Sequence, residues 1–398
     1  MRTVYLDNNA TSRTAPEVLE EMLPFFGDLY GNPSSMHTFG GQVGKFVTLA
    51  RARTAAALGA RPEEIVFTSC GTESDNTAIR AAVEAQPDKR HIVTTRVEHP
   101  AVLNLAKHLE KKGYEVTYLG VDADGRLDMD ELTASLRKDT AIVSVMYANN
   151  ETGVIFPIPE IAEMTRERGI LLHVDAVQAV GKIPIDLAAL PVDYLALSGH
   201  KLHAPKGVGA LYARKGAPFR PFMIGGHQEK GRRAGTENTA AIVALGKACE
   251  LAAAGIGEEI TKVGALRDRL EKGLLAAVPE ARINGETVHR LPNTTNISFK
   301  YVEGEAILLL LDALGVCASS GSACTSGSLE PSHVLRAMGV PFTYAHGSIR
   351  FSLSRYNTQE DVDLVVKELP GIIARLRQIS PFGRTEGAAC DADLAKAD

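Results

Sequence analysis

The sequence has few cysteines, no long apolar run and no excess of positive charge, and each absence excludes a class of protein. The five cysteines are odd in number and irregularly spaced, without a C-x-x-C, so neither a disulfide framework nor a zinc site is indicated. A net charge of -5 provides no basic field for nucleic acid. No apolar run reaches the ~18 residues of a membrane helix, and the N-terminus lacks the apolar core of a signal peptide. We therefore expect a cytoplasmic protein that binds neither nucleic acid nor membrane.

Length and pattern predict two interleaved domains. With 398 residues, 45% of them hydrophobic, the chain exceeds what one small core needs. We expect a large domain over residues 13–254 and a smaller α+β domain formed by residues 1–12 with 255–383. Residues 384–398 are rich in Gly, Ala and acidic residues, and we expect them to be disordered.

Strands and helices alternate through the expected large domain, which begins with a helix after a capping box at Thr14. Apolar strands are predicted at 64–68, 91–95, 115–119, 141–146, 170–174, 194–197 and 208–212, most of them separated by amphipathic helices. This order is typical of an α/β fold with a mostly parallel, doubly wound sheet. Such sheets bind ligands beyond the carboxyl ends of their strands.

Residues 319–328 (SSGSACTSGS) are a run of small residues with one thiol, Cys324. Such a run buries too little apolar surface to offset its ordering entropy, so we predict a mobile loop over residues 318–328. A thiol there could accept a group in one place and deliver it in another. The alternative is a Gly/Ser loop with an incidental cysteine.

Two polar segments at strand ends suggest a phosphate and a ring nitrogen as ligands. Gly71 and Thr72 open a helix whose free N–H groups favour an anion, although Thr72 as a simple N-cap is an alternative. Asp175 follows the most apolar strand, where its carboxylate could hold a pyridinium N–H or cap a helix.

Other strand ends carry groups suited to covalent and acid–base chemistry. Lys201 at a buried strand end could form a Schiff base, with Lys206 as its competitor and a solvated loop lysine as the alternative. His99 could stack on a ring or transfer a proton. Arg350, within an apolar strand, needs a negative partner, either a substrate carboxylate or a nearby Asp. Together these signals favour an enzyme that uses pyridoxal 5'-phosphate.

The same residues lie in motifs that resemble those of the cysteine desulfurases, in particular the nitrogen-fixation (NifS) type, within the class-V aminotransferases. The likeness runs from residue 1 to about residue 383. The matching segments are 5–11 (YLDNNAT), 31–35 (GNPSS), 70–74 (CGTES), 98–102 (EHPAV), 149–153 (NNETG), 175–178 (DAVQ), 198–201 (SGHK), 232–238 (RRAGTEN) and 319–327 (SSGSACTSG).

The resemblance implies a fold-type-I homodimer that contains pyridoxal 5'-phosphate. It implies that Lys201 carries the cofactor, that His99 stacks on the ring and moves protons, and that Cys324 takes the sulfur. It further implies cofactor contacts from Gly71, Thr72, Asn150, Asp175, Gln178, Ser198, His200 and, from a second subunit, Thr236. The substrate would be bound by Arg350 with Asn8 and Asn150.

The implied reaction converts L-cysteine to L-alanine and leaves a persulfide on Cys324, which passes to an iron–sulfur scaffold protein in nitrogenase-related cluster assembly. Two alternatives remain. One is another enzyme of this fold, such as a selenocysteine lyase or aminotransferase, which needs no mobile thiol. The other is a non-catalytic platform with Cys324 as a transient iron–sulfur ligand. No intrinsic metal site is expected.

Overall fold

A seven-stranded sheet forms the centre of the larger part of the computed structural model, which describes residues 2–320 and 331–380. The strands in chain order are β1 (Val4–Tyr5), β2 (Ile65–Thr68), β3 (His91–Thr95), β4 (Glu115–Leu119), β5 (Thr140–Met146), β6 (Leu171–Asp175), β7 (Tyr194–Ser198), β8 (Gly209–Ala213), β9 (Ala281–Ile283), β10 (Thr294–Phe299), β11 (Val316–Cys317) and β12 (Ser348–Ser352). The large sheet has the order β2-β8-β7-β6-β5-β3-β4. Only β8 runs antiparallel to its neighbours in it, so the predicted mostly parallel α/β sheet is confirmed.

Helices join and cover these strands. They are α1 (Pro16–Met22), α2 (Thr38–Ala57), α3 (Gly71–Glu84), α4 (Pro100–Glu110), α5 (Met129–Ser135), α6 (Ile158–Glu167), α7 (Thr239–Glu258), α8 (Gly264–Ala277), α9 (Gly304–Asp312), α10 (His333–Ala337), α11 (Phe342–Ala345) and α12 (Gln359–Ile379). Consecutive strand residues such as Ile142 and Val143 belong to apolar clusters on opposite faces of the large sheet. Burial on both faces explains why its strands read as continuous apolar runs.

The smaller part of the chain has its own apolar cluster. An antiparallel sheet of order β12-β10-β9 and the parallel pair β1–β11 pack with α8, α9 and α12, and the cluster includes Val4 and Leu6. The first residues thus lie with the later segment. Residues 334–345, which we expected in the small domain, instead contribute Val334, Leu335 and Met338 to the cluster of the large sheet. The exact division into domains stays a prediction.

Two local features differ from the sequence-based expectation. Helix α1 begins after Ala15, whose methyl side chain cannot accept a capping hydrogen bond, so the predicted capping box at Thr14 is wrong. Among the described residues, one helical run, Thr239–Ala277, is long and apolar enough to cross a membrane by length and composition alone, with 56% of its most apolar window buried. It joins α7 and α8 through a π-helical turn at Glu259–Val263, and α7 packs against α1 and α2 as a core helix.

Candidate active site

A cavity of about 380 Å³ lies beyond the carboxyl ends of the parallel strands β3, β5, β6 and β7. This is the position at which open α/β sheets bind their ligands. The sequence-predicted site residues that line it are Gly71, Thr72, His99, Asn150, Asp175, Gln178, Ser198, His200, Lys201 and Arg350. Residues from more than half the length of the chain therefore converge on one cavity.

Three predicted site residues are not among those that line the cavity. Asn8 is buried, and its side-chain amide donates to the carbonyl of Ser352 at 2.9 Å, so the next residue, Asn9, lines the cavity instead. Thr236 is exposed. Cys324 and the predicted mobile loop lie outside the described residues, apart from the loop's first three positions.

Part of the cavity wall offers hydrogen-bond donors that favour a bound anion. It is formed by the N-terminus of α3, whose first N–H groups have no partner within the helix, and by Ser198 at the end of β7. The Ser198 Oγ is buried and, among the described residues, has no hydrogen-bond partner. A Cβ on Gly71 would come within 2.7 Å of the Val177 Cγ2, so the backbone here has no room for a side chain. Because Cys70 occupies the N-cap position of α3 and Thr72 lies within the helix, the alternative of Thr72 as its N-cap is wrong.

The cavity wall also holds the buried carboxylate of Asp175 at the end of β6. Its Oδ1 accepts a hydrogen bond from the Val177 N–H at 2.9 Å, which fixes the turn after the strand, and no helix follows. Burial raises the pKa of this carboxyl, while the Val177 N–H, His99 and Lys201 oppose the rise. A cationic N–H donor in the cavity would compensate the buried charge of Asp175.

The two histidines of the cavity are held neutral by their surroundings. Burial lowers the pKa of His99, the charge of Lys201 lowers it further, and Asp175 opposes both effects. The His99 Nδ1 accepts from the Ala101 N–H at 3.2 Å, so the ring caps α4 and its other nitrogen is left for a ligand. Burial, aided by Lys201, lowers the pKa of His200 to about 4. Neutral imidazoles can accept a proton or donate a neutral hydrogen bond.

Lys201 ends a short 3₁₀ turn after β7, and its Nζ points into the cavity. The Nζ donates to the carbonyl of Ala10 at 2.8 Å and to the carbonyl of Asn9. The competing lysine, Lys206, is exposed and does not line the cavity. The structure therefore brings Lys201, and not Lys206, together with Asp175.

Arg350 on β12 already has protein partners. Its guanidinium donates to the Asp7 carboxylate at 2.7 Å and to the Asn150 carbonyl at 3.0 Å, so the nearby Asp considered from the sequence is present. Its Nε is buried and has no hydrogen-bond partner among the described residues. Arg350 both belongs to an ion pair and lines the cavity.

Sequence reasoning missed several acidic and polar residues of the site. Asp75 lines the cavity one helical turn after Gly71, and it lies 3.4 Å from the Nε2 of the buried His173. Burial, then the charge of Asp175, raises the pKa of Asp75, and burial raises that of the neighbouring Glu98 to about 8. The i to i+4 spacing on α3 was the signal that could have identified Asp75.

The described residues that flank the undescribed segment 321–330 lie close to the cavity. On one side, the Ser319 carbonyl accepts from the N–H of Arg350 at 2.6 Å. On the other, the Ser332 hydroxyl donates to Glu151, the residue after Asn150, at 2.5 Å. Ser319 and Ser332 thus lie beside Arg350 of the cavity wall and beside Glu151, which follows the cavity residue Asn150.

Of the three cysteines within the described ranges, one lines the cavity. Cys249 is buried, and burial raises the pKa of its thiol to about 12. Cys317 is partly buried, and burial also raises its thiol pKa. Cys70 is half-buried and lies on the cavity wall. Among the cysteines within the described ranges, Cys70 is therefore the one that lies at the candidate active site.

The chain belongs to the class-V aminotransferase family: the sequence model of that family matches residues 4–365, which include the sheets and the cavity described above. It is similar to a cysteine desulfurase of Trichormus azollae, at 64% identity over 97% of this chain and 96% of the relative. It is 57% identical to the cysteine desulfurase NifS of Azotobacter vinelandii over 98% of each chain. A solved structure titled "NIFS-LIKE PROTEIN" matches with a TM-score of 0.89 at 42% identity, covering 94% of this chain and 100% of that one.

Proposed function

We propose that this chain is a cysteine desulfurase that uses pyridoxal 5'-phosphate to convert L-cysteine to L-alanine. The observation that carries the proposal is the convergence of Lys201, Asp175 and His99 on one cavity, in a chain 57–64% identical to cysteine desulfurases over nearly its whole length. The C–S bond of cysteine breaks, an S–S bond forms to Cys324, and the thiol proton replaces the sulfur on the substrate carbon. Atoms and electrons balance without an added oxidant or reductant.

The residues of the cavity fit both the phosphate and the ring nitrogen of this cofactor. The N-terminus of α3 with Gly71 and Thr72, the Ser198 hydroxyl and His200 would hold the phosphate; among the described residues this hydroxyl has no hydrogen-bond partner. Asp175 would pair with the ring nitrogen, which supplies the cationic N–H that its buried carboxylate lacks. When bound, the cofactor acts as an electron sink for the carbon that bears the substrate amine.

The remaining side chains would position the substrate and move protons. Lys201 would carry the cofactor, and Lys201 or the neutral His99 would take the proton from the substrate carbon. Asn150 and the amide of Gln178 would contact the ring edge; the Gln178 Oε1 is buried and has no partner among the described residues. Arg350, already oriented by Asp7, would bind the substrate carboxylate.

The sulfur would then leave on Cys324 for an acceptor. We propose that the acceptor is an iron–sulfur scaffold protein, in line with the NifS relative, and that the enzyme works in the cytoplasm as a homodimer with Thr236 reaching the partner's cofactor. Support for the dimer comes from the family resemblance and from the exposure of Thr236.

Product analysis tests the proposal. The cofactor-loaded protein is incubated with L-cysteine and a thiol reductant, and alanine, sulfide and keto acids are measured. We expect alanine and sulfide in equal amounts from the wild type and from Lys206→Ala, the exposed-lysine control, and neither from Lys201→Ala. A keto acid as the main product would instead favour an aminotransferase, and an active Lys201→Ala enzyme would contradict the proposed role of Lys201.

A further inference from the structure

The polar groups of Asn9 are paired with partners from three different segments. Asn9 is only 1% exposed, and its N–H donates to the Ser352 Oγ at 2.9 Å. Its side-chain amide donates to the Thr294 Oγ1 at 2.8 Å and the Asn150 carbonyl at 3.2 Å, while its Oδ1 accepts from the Asn293 amide at 3.0 Å. Since Thr294 lies on β10 and Ser352 on β12, the small sheet fixes the backbone of Asn9 at the cavity wall.

This fixed backbone presents two carbonyl oxygens to Lys201. The Lys201 Nζ donates to the carbonyls of both Asn9 and Ala10, and the Gln178 amide donates to the Asn9 carbonyl at 3.1 Å. Hydrogen bonds from an ammonium group to carbonyl oxygens are charge-assisted and stronger than neutral ones. A half-buried ammonium also needs acceptors to offset the water it has lost. The Asn9–Ala10 turn meets both conditions.

The adjacent Asn8 shows that this arrangement is specific to Asn9. Asn8 is 4% exposed and lies in the same turn, but its side-chain amide donates to the carbonyls of Ser352 and Tyr5. The hydrogen bonds from the Lys201 Nζ to this turn go to the carbonyls of Asn9 and Ala10. The two neighbouring asparagines are therefore alike in residue type and burial, but they differ in their hydrogen-bond partners.

We propose that the carbonyls of Asn9 and Ala10 form the acceptor site for the Lys201 ammonium whenever that lysine is not attached to the cofactor, and that the Asn9 side chain positions this site. The inference rests on the proposed attachment of the cofactor to Lys201. An amino acid that takes the place of Lys201 on the cofactor must leave the lysine amine somewhere in the cavity. The Asn9–Ala10 turn gives it a defined place, from which it can return when the product leaves.

Chemical labelling of Lys201 in the holoenzyme tests the proposal without relying on turnover. The holoenzyme is treated with acetic anhydride, with and without saturating L-alanine, and acetylation of each lysine is followed by peptide mass spectrometry. The exposed Lys206 serves as the internal reference. In the wild type we expect L-alanine to release Lys201 and expose it to slow acetylation, because the held ammonium is a poor nucleophile.

Asn9→Ala should accelerate the L-alanine-dependent acetylation of Lys201 about threefold to tenfold, the equivalent of losing one hydrogen bond. Asn8→Ala, the matched control, should label at the wild-type rate. If Asn9→Ala folds poorly, Thr294→Val removes the hydroxyl that holds the Asn9 amide and should act in the same direction.

Two results would overturn the inference while leaving the proposed function intact: unchanged labelling in both Asn9→Ala and Thr294→Val, or equal acceleration in Asn8→Ala, which would indicate general loosening of the turn. A third result, equal labelling of wild-type Lys201 with and without L-alanine, would show that the lysine does not carry the cofactor. It would overturn the proposed function and this inference together.

Discussion

Replacement of Glu98 by Gln should weaken the dependence of stability on pH. The side chain is 0% exposed; its Oε1 accepts from the Thr95 hydroxyl at 2.8 Å and the Met146 N–H at 3.0 Å, while its Oε2 has no partner among the described residues. Burial raises its pKa from 4.5 to about 8, with a smaller contribution from Asp175. At neutral pH the folded protein therefore holds a proton on Glu98 that the unfolded chain has already lost.

The sign and size of the effect follow from linkage. Because the folded-state pKa is raised, the contribution of Glu98 to stability is fully present below pH 4.5 and is lost as the pH rises through about 8. Between roughly pH 6 and pH 8, this difference in proton binding at Glu98 should lower the free energy of unfolding of the wild type by about 2 kcal/mol, with a slope of about 1.4 kcal/mol per pH unit over most of the interval. A glutamine keeps the shape and the acceptor oxygen but cannot titrate.

The assay is urea unfolding of wild type and variants across that pH interval. The free energy of unfolding of Glu98→Gln should fall by about 2 kcal/mol less than that of the wild type. Glu163→Gln, at an exposed position on α6, should follow the wild type, since both forms share every other titrating group. Parallel pH profiles for the wild type and Glu98→Gln would refute the assignment of a neutral Glu98.

Three further predictions concern the cofactor site, the catalytic proton and the small sheet. Gly71→Ala should weaken cofactor binding at least about tenfold in equilibrium dialysis, because its Cβ would meet a valine methyl at 2.7 Å, whereas Gly41→Ala, with nothing within 4 Å, should not. The acid limb of kcat/KM should have a midpoint below 6.5, since burial lowers the pKa of His99; a midpoint above that value would contradict a neutral His99. Arg290→Met should lower the free energy of unfolding by about 3–5 kcal/mol, because the buried carboxylate of Glu271 loses the guanidinium that lies 2.6 Å from its Oε2. A loss below about 1 kcal/mol would contradict this prediction.

The sequence was most informative where chemistry and local pattern coincide. Strand ends are readable from apolar runs, and parallel strands bring their carboxyl ends to one edge, so Asp175, Ser198 and Lys201 were predicted together and lie together. The alternation also predicted the α/β class, because burial on both faces leaves a continuous apolar signature. The sheet order and the antiparallel β8 could not be read in this way, because they depend on long-range pairing.

What the sequence could not supply depends on contacts between distant segments. Nothing local distinguishes Asn8 from Asn9; Asn9 is held at the cavity by hydrogen bonds to residues far along the chain, among them Thr294 and Ser352. The predicted cap at Thr14 failed because Pro16 already opens the helix and moves the cap position to Ala15. Val334, Leu335 and Met338 pack with the large sheet through contacts to segments distant in sequence, which a local pattern does not reveal.

The central claim is that sulfur moves from the bound amino acid to Cys324, and peptide mass spectrometry after brief treatment with L-cysteine tests it most directly. The account predicts one added sulfur on the peptide that contains Cys324, one alanine released per sulfur retained, and neither in Cys324→Ala. Sulfur retained instead on Cys70, the half-buried thiol of the cavity wall, or full desulfurase turnover by Cys324→Ala, would contradict it.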